Sequence, residues 1–269
     1  MNILGKKLIS RPFNRCAELP SAWLDLQAWY QSRLGQQLAE QEQSLVSETL
    51  PNLFGYHLLQ LGRLHEEDWL SASRVSHCEV MDFVSNQTEP EGHGLLGLPE
   101  QLPIQTDCMD VIVLPHVLEF SLQPHNVLRE AERVLIPEGH LLILVFNPFS
   151  LWTLWRWSLS WRQRVPWCGR FLSTTRIKDW LALLGFDVLN IQGYFFRPPL
   201  QQGSLMQRLR IMESAGGRFW PVLGAANLIL ARKRVVTLTP VGPRWAKSKK
   251  SIVSPGLVEP FQNNNKHDG

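Results

Sequence analysis

The stretch that decides the fold runs from Asp110 to Phe146, DVIVLPHVLEFSLQPHNVLREAERVLIPEGHLLILVF. It opens on a compact apolar run, Asp110–Leu114, and closes on another, His140–Phe146. Between them Val117, Leu118, Val127, Leu128, Ala131, Val134 and Leu135 are apolar, and from Val127 onward their spacing is that of one helical face. Pro137 and Gly139 stop that helix and pass the chain directly into the second run. Strand, helix, strand over this length is a βαβ crossover. Its two strands lie parallel, in a sheet covered on both faces.

Outward from this unit the same texture continues. Tyr56–Leu61, Cys78–Phe83 and Gly94–Leu98 precede it as strands, and Phe186–Phe195 and Ala225–Ala231 follow, giving seven strands in all. Ser173 or Thr174 caps a helix over Ile177, Trp180, Leu181 and Leu184, and Gly185 ends it. Residues 21–50 read as helical: Ser21 caps a first helix carrying Trp23, Leu26, Trp29 and Tyr30. Gly35 permits a break before a second helix with Leu38, Leu45 and Leu50, which Pro51 closes. No period of about 20–50 residues recurs, which excludes a solenoid. Past residue 234 the pattern stops, at Pro240, Pro243, Pro255, Pro260 and an Asn-rich end. The sequence therefore divides into an N-terminal helical extension (1–50), an α/β domain (51–234) and a disordered basic tail (235–269).

The 269 residues include 27 basic and 24 acidic ones, for a net charge of +3. The tail carries all of that excess, through Arg244, Lys247, Lys249, Lys250 and Lys266 against Glu259 and Asp268. The charge is thus no argument for a basic domain surface. Hydrophobic residues at 44% and charged ones at 19% exclude a largely disordered or collagen-like chain. The longest charge-free apolar stretch, Gly139–Trp155, is broken by Asn147-Pro148 and stops at Arg156. It falls short of the ~20 residues a spanning helix needs, so no transmembrane segment is expected. Arg11, Asn14 and Arg15 interrupt the N-terminus, which lacks the apolar core of a secretory signal. Cys16, Cys78, Cys108 and Cys168 are too scattered for a zinc cluster or a dense disulfide framework, so no metal site is expected. They read as buried, reduced thiols of a cytoplasmic protein.

Three strings carry a resemblance. Leu102-Pro103 followed by Asp110-Val111-Ile112 resembles the "LP-x-x-x-x-x-x-D-V-V" approach to the fourth strand of class I SAM-dependent methyltransferases of the broad type 11 group. Val117-Leu118-Glu119-Phe120 and Leu128–Leu141 are similar to that family's "vLEh … lL-x-E-x-x-R-v-L-x-P-G-G-x-l", with Glu138 in place of the first glycine. Leu59-Gln60-Leu61-Gly62 resembles the first-strand "L-D-L-G-C-G-x-G", of which Gly62 alone keeps a glycine, since Arg63, Leu64 and His65 follow it. The resemblance covers roughly residues 50–235 in strand order. It implies a Rossmann-like seven-stranded sheet with the last strand antiparallel, helices on both faces and an N-terminal helical cap.

The resemblance also implies S-adenosyl-L-methionine as cofactor, lying beyond the carboxyl ends of the strands. Gly62 would then allow close approach of the cofactor. Asp82, 20 residues after Gly62, would take the ribose hydroxyls. Leu98 and Pro99, aligned with the family's G-D-A-E string, would leave only backbone and apolar contacts to the adenine. Leu114, Pro115 and His116 end the fourth strand, where cofactor and acceptor meet, and His116 is the candidate general base. Glu119 matches the family's "LE" pair and would cap or orient its helix. Asn147-Pro148-Phe149 follows the fifth strand, not the fourth, so it reads as an acceptor-pocket loop and not as the N-P-P-Y motif of amino-group methyltransferases.

Five of the eleven tryptophans fall at 152, 155, 157, 161 and 167, beside Arg156, Arg162, Arg164 and Arg170. Three readings stand open for them: an acceptor lid, packing against the core and the N-terminal helices, or contact with a membrane surface or nucleic acid. With Asn147 and Trp152 on the acceptor side, the expected function is methyl transfer to an unidentified small-molecule acceptor. Two alternatives remain. One is a catalytically degenerate binding module, suggested by the lost glycines and by Leu98. The other is an RNA or protein methyltransferase, suggested by the basic aromatic span and tail.

Overall fold

The computed structural model describes residues 19–64, 69–84, 95–153, 165–198 and 223–235. Two helices, α1 (Leu19–Tyr30) and α2 (Arg33–Thr49), lead into strands β1 (His57–Leu61), β2 (His77–Asp82), β3 (Leu95–Leu96) and β4 (Met109–Pro115). The short helix α3 (Val117–Phe120) and α4 (Pro124–Val134) connect β4 to β5 (Leu135–Phe146). Then follow α5 (Thr174–Leu183), β6 (Phe186–Tyr194) and β7 (Ala226–Lys233). All these residues belong to one compact unit ending at Val235; the tail expected to be disordered lies outside the described residues.

The seven strands form one sheet in the order β3-β2-β1-β4-β5-β7-β6. The first five are mutually parallel, and β7 runs antiparallel to both β5 and β6. This is the Rossmann-like methyltransferase sheet expected from the sequence. Its middle is an unbroken apolar layer, Val111–Leu114 beside Leu141–Phe146, all buried. That is how a parallel strand covered on both faces must read. The chain order reverses between β1 and β4, so ligands of such a sheet belong beyond the carboxyl ends of those two strands.

Three boundaries differ from the periodicity. Helix α1 starts at Leu19 and so contains Ser21. The break between α1 and α2 falls at Gln31–Ser32, where the Ser32 side chain caps α2 by accepting from the Gly35 amide. Gly35 serves a different need: a Cβ there would lie 2.5 Å from the Trp29 carbonyl oxygen and the Tyr30 α-carbon, so only glycine lets the helices meet this closely. Strand β5 begins at Leu135, ahead of His140, and Glu138 takes φ +66, the left-handed conformation that explains a glycine at this point in the family pattern.

The cysteines divide. Cys78 and Cys108 carry free thiols, as expected, but Cys78 is exposed and Cys108 half-buried, not buried; Cys168 is disulfide-bonded, which corrects the expectation of a reduced thiol there. None of the described helices is long and apolar enough to cross a membrane.

Candidate cofactor and active site

The carboxyl ends of β1, β2 and β4 bring Gly62, Asp82 and His116 to one side of the sheet. Gly62 leaves β1 at φ +83 and donates its amide to the Met81 carbonyl at 2.7 Å. The side chain of Gln60 turns back onto the Gly62 carbonyl at 3.0 Å. The space a Cβ of Gly62 would fill is taken by two rings: Trp23 of α1 at 2.3 Å and Phe83 at 2.7 Å, themselves edge to face at 4.8 Å. Asp82, half-buried at the end of β2, accepts the Gly97 amide through its carbonyl at 3.2 Å. Leu98 is exposed and Pro99 buried where the chain leaves β3, and Leu114 and Pro115 are buried in β4.

His116 is the first residue beyond β4. It sits at φ +55, an uncommon conformation for a non-glycine residue, with its amide tied to the Leu144 carbonyl at 2.9 Å. Its ring is fully buried, 4.1 Å from the ring centre of Phe146. Nδ1 lies 2.8 Å from Glu119 Oε1, and Nε2 lies 2.9 Å from Glu42 Oε1. Glu42 also accepts the hydroxyls of Tyr194 (2.9 Å) and Tyr30 (3.0 Å to Oε2). Glu119 Oε1 accepts the Phe146 amide at 2.7 Å. Burial by itself would push the His116 pKa down, but Glu42 and then Glu119, by charge and hydrogen bonding, outweigh it and push it up to about 9. His116 is therefore an imidazolium at neutral pH, with both ring N–H groups donating to carboxylates. Burial, then Glu42, raises both tyrosines well above the usual phenol range, so they remain donors.

Two buried polar atoms in this region have no partner among the described residues: Nε1 of Trp23 and Oε2 of Glu119. Trp23 and Tyr30 stand two turns apart on α1, about 10 Å along its axis. One helix thus spans from the end of β1 to the His116 cluster.

Asn147 and Trp152 lie beyond β5. The Asn147 side chain donates to the Gly224 carbonyl at 2.9 Å and accepts the Phe149 amide at 3.0 Å. Trp152 is fully buried, donates Nε1 to the Arg197 carbonyl at 2.9 Å, and packs on Trp29, Phe146, Trp167 and Phe195. Both are firmly tied into the fold, and Trp152 meets the N-terminal helices as one of the three readings supposed. Trp155, Trp157 and Trp161 lie outside the described residues.

Sequence reading missed Glu42 as a partner of His116, and Tyr30 and Tyr194 as the partners of Glu42 in turn. One signal was present: Glu42 interrupts the otherwise apolar stripe Leu34, Leu38, Leu45, Val46 of α2. An acid on a buried stripe needs a partner. The stripe itself does not say which residue that partner is.

Residues 74–143 match the family model described as a methyltransferase domain. The chain is 34% identical over 236 residues to the uncharacterized protein YafS of Escherichia coli (strain K12), covering 87% of this chain and 89% of that one. Among solved structures it is similar to a SAM-dependent methyltransferase from Thermotoga maritima (TM-score 0.54, 16% identity, 80% of this chain and 94% of that one). It is also similar to one from Archaeoglobus fulgidus (0.50, 16%, 72% and 94%) and to the [4+2]-cyclase SpnF (0.50, 16%, 74% and 82%). At these identities the structural likenesses establish the fold.

Proposed function

This chain belongs to the class I SAM-dependent methyltransferase family, and from that premise we propose that it transfers a methyl group from S-adenosyl-L-methionine to a small-molecule acceptor. The observation that carries this reading is the convergence of Gly62, Asp82 and His116 at the carboxyl ends of three neighbouring parallel strands. The family implies the cofactor, and the polarity of the region fits it. Trp23 Nε1 is a buried donor without an acceptor, and Glu119 Oε2 a buried anionic oxygen without a donor. The cofactor carries both hydrogen-bond acceptors and a cationic sulfur. The contact made through a bare glycine elsewhere in the family would here be made against the ring of Trp23.

When bound, S-adenosyl-L-methionine supplies an electrophilic methyl on a sulfonium, a reaction that needs positioning more than acid or metal chemistry. In this reading Asp82 binds the ribose hydroxyls, and Leu98, Pro99, Leu114 and Pro115 form apolar walls. Asn147 and Trp152 shape the acceptor side. The helices α1 and α2 exclude water. His116, an imidazolium between two carboxylates, offers no free lone pair. A proton lost by the acceptor would therefore come to rest on Glu119 Oε2, with His116 holding that carboxylate in place. A cytoplasmic site of action belongs to the same proposal.

Titration calorimetry with S-adenosyl-L-methionine and S-adenosylhomocysteine tests it. Binding is expected, weakened at least tenfold by Asp82→Ala. Absence of heat at millimolar ligand overturns the reading, and an unchanged affinity in Asp82→Ala removes that residue from the site. One observation favours the second reading, a binding module that dispenses with the cofactor: the Trp23 ring fills the space beside Gly62. A protein sharing this fold, SpnF, is a [4+2]-cyclase by its description. Cofactor binding by Trp23→Ala but not by the unaltered chain would decide for this reading. The basic aromatic span and tail that suggested RNA or protein substrates lie largely outside the described residues.

A further inference from the structure

The cluster at the end of β4 is unbalanced in charge. Glu42 receives only donors, two phenolic hydroxyls and one ring N–H, and Glu119 Oε1 receives two more. Among the described residues, these leave the imidazolium as the one cation bonded to the two carboxylates. Among the described residues the titratable groups of this cluster are Tyr30 from α1, Glu42 from α2, Glu119 from α3 and Tyr194 from β6, with both tyrosines on Glu42. The remaining acceptor, Glu119 Oε2, is buried, in a residue only 2% exposed, and has no partner among the described residues. A negative charge left over in a buried site is costly unless a cation answers it.

We propose that Glu42, His116 and Glu119 form a charge-reading subsite, in which the uncompensated negative charge held on Glu119 selects a cationic ligand over its neutral counterpart. This rests on the cofactor reading above and deepens it. The cation with the required chemistry is a methylsulfonium. After methyl loss the same sulfur is a neutral thioether, so the subsite holds the substrate form of the cofactor and lets the product form go. The buried setting matters, because the same charge at the surface would be screened by solvent. His116 is the hinge of the device: it joins the two carboxylates, cancels one charge and leaves the other.

The test compares S-adenosyl-L-methionine with S-adenosylhomocysteine by calorimetry on the full chain. The unaltered protein is expected to prefer the sulfonium by about tenfold or more. Glu119→Gln, close in shape and neutral, is expected to bring that ratio close to one by weakening the sulfonium alone, and Glu42→Gln to do the same. The ring nitrogens of His116, followed by 15N NMR, should both be protonated at pH 7.5 in the unaltered protein. Equal affinity for the two ligands in the unaltered protein overturns the proposal without needing any variant to fold. An unchanged ratio in folded Glu119→Gln, or a singly protonated His116, overturns it as well. Binding of neither ligand would instead overturn the cofactor reading, and this proposal with it.

Discussion

Two acid–base networks sit at the two ends of β4, and they are built differently. At its amino end, α4 presents Glu130 and Arg133, one turn apart and 2.8 Å from each other. Glu130 accepts the Leu102 amide, and Arg133 donates to the carbonyls of Leu102 and Ile104 and to the Thr106 hydroxyl. They staple the loop that enters β4, and both remain partly open to solvent. At the carboxyl end, His116 joins Glu42 and Glu119 with no exposure at all. The first network belongs to the string that resembles the family most closely, and its work is structural. The second draws on residues 74 and 152 positions apart, and it is the one we propose for the chemistry. The most recognisable motif of this chain is thus scaffold, and the candidate site lies largely in what the motif does not contain.

The contrast can be broken most severely at the buried end. His116→Leu strips the cation that bridges two buried carboxylates and is expected to cost about 3–5 kcal/mol in urea-denaturation stability. A loss under 1 kcal/mol would mean that the cluster is already neutral. Next comes pH. The folded pKa of His116 is raised from 6.5 to about 9, so its stabilising contribution is complete below pH 6.5 and disappears as pH rises through about 9. Denaturation midpoints should accordingly fall across that window, by on the order of 3 kcal/mol in total. Glu42→Gln should shift the fall to lower pH, and a flat profile in the unaltered protein would contradict the charged ring. The exposed network predicts less. Arg133→Ala, which frees the 102–106 loop, is expected to lose about 1–2 kcal/mol with no change in that pH profile. The smallest effect has the opposite sign: Glu138→Gly, at the left-handed position, should raise stability by about 1 kcal/mol despite losing the exposed pair with Arg232. A loss there would show that the pair outweighs the backbone strain.

Much of this molecule follows from period alone. Runs such as Asp110–Leu114 and His140–Phe146 flanking a helical stripe had to become parallel neighbours, because apolar strands of that kind need cover on both faces. Gly62, Asp82 and His116 then fell at strand ends as a consequence of where those runs stop. Local signals also sufficed for Ser173 capping α5 and Gly185 ending it. Pairing between distant parts of the chain did not follow. The polar face of Glu42 was visible as a misfit on α2, but its partners come from α1, β4 and β6, and no local spacing links them. Nor does a tryptophan on an amphipathic helix announce that its ring will occupy the space beside one glycine 39 residues later. Short-range geometry repeats along the chain and can be read from it. A buried charge, by contrast, takes whatever partner the packed sheet brings within hydrogen-bond distance, and only the tertiary structure decides that.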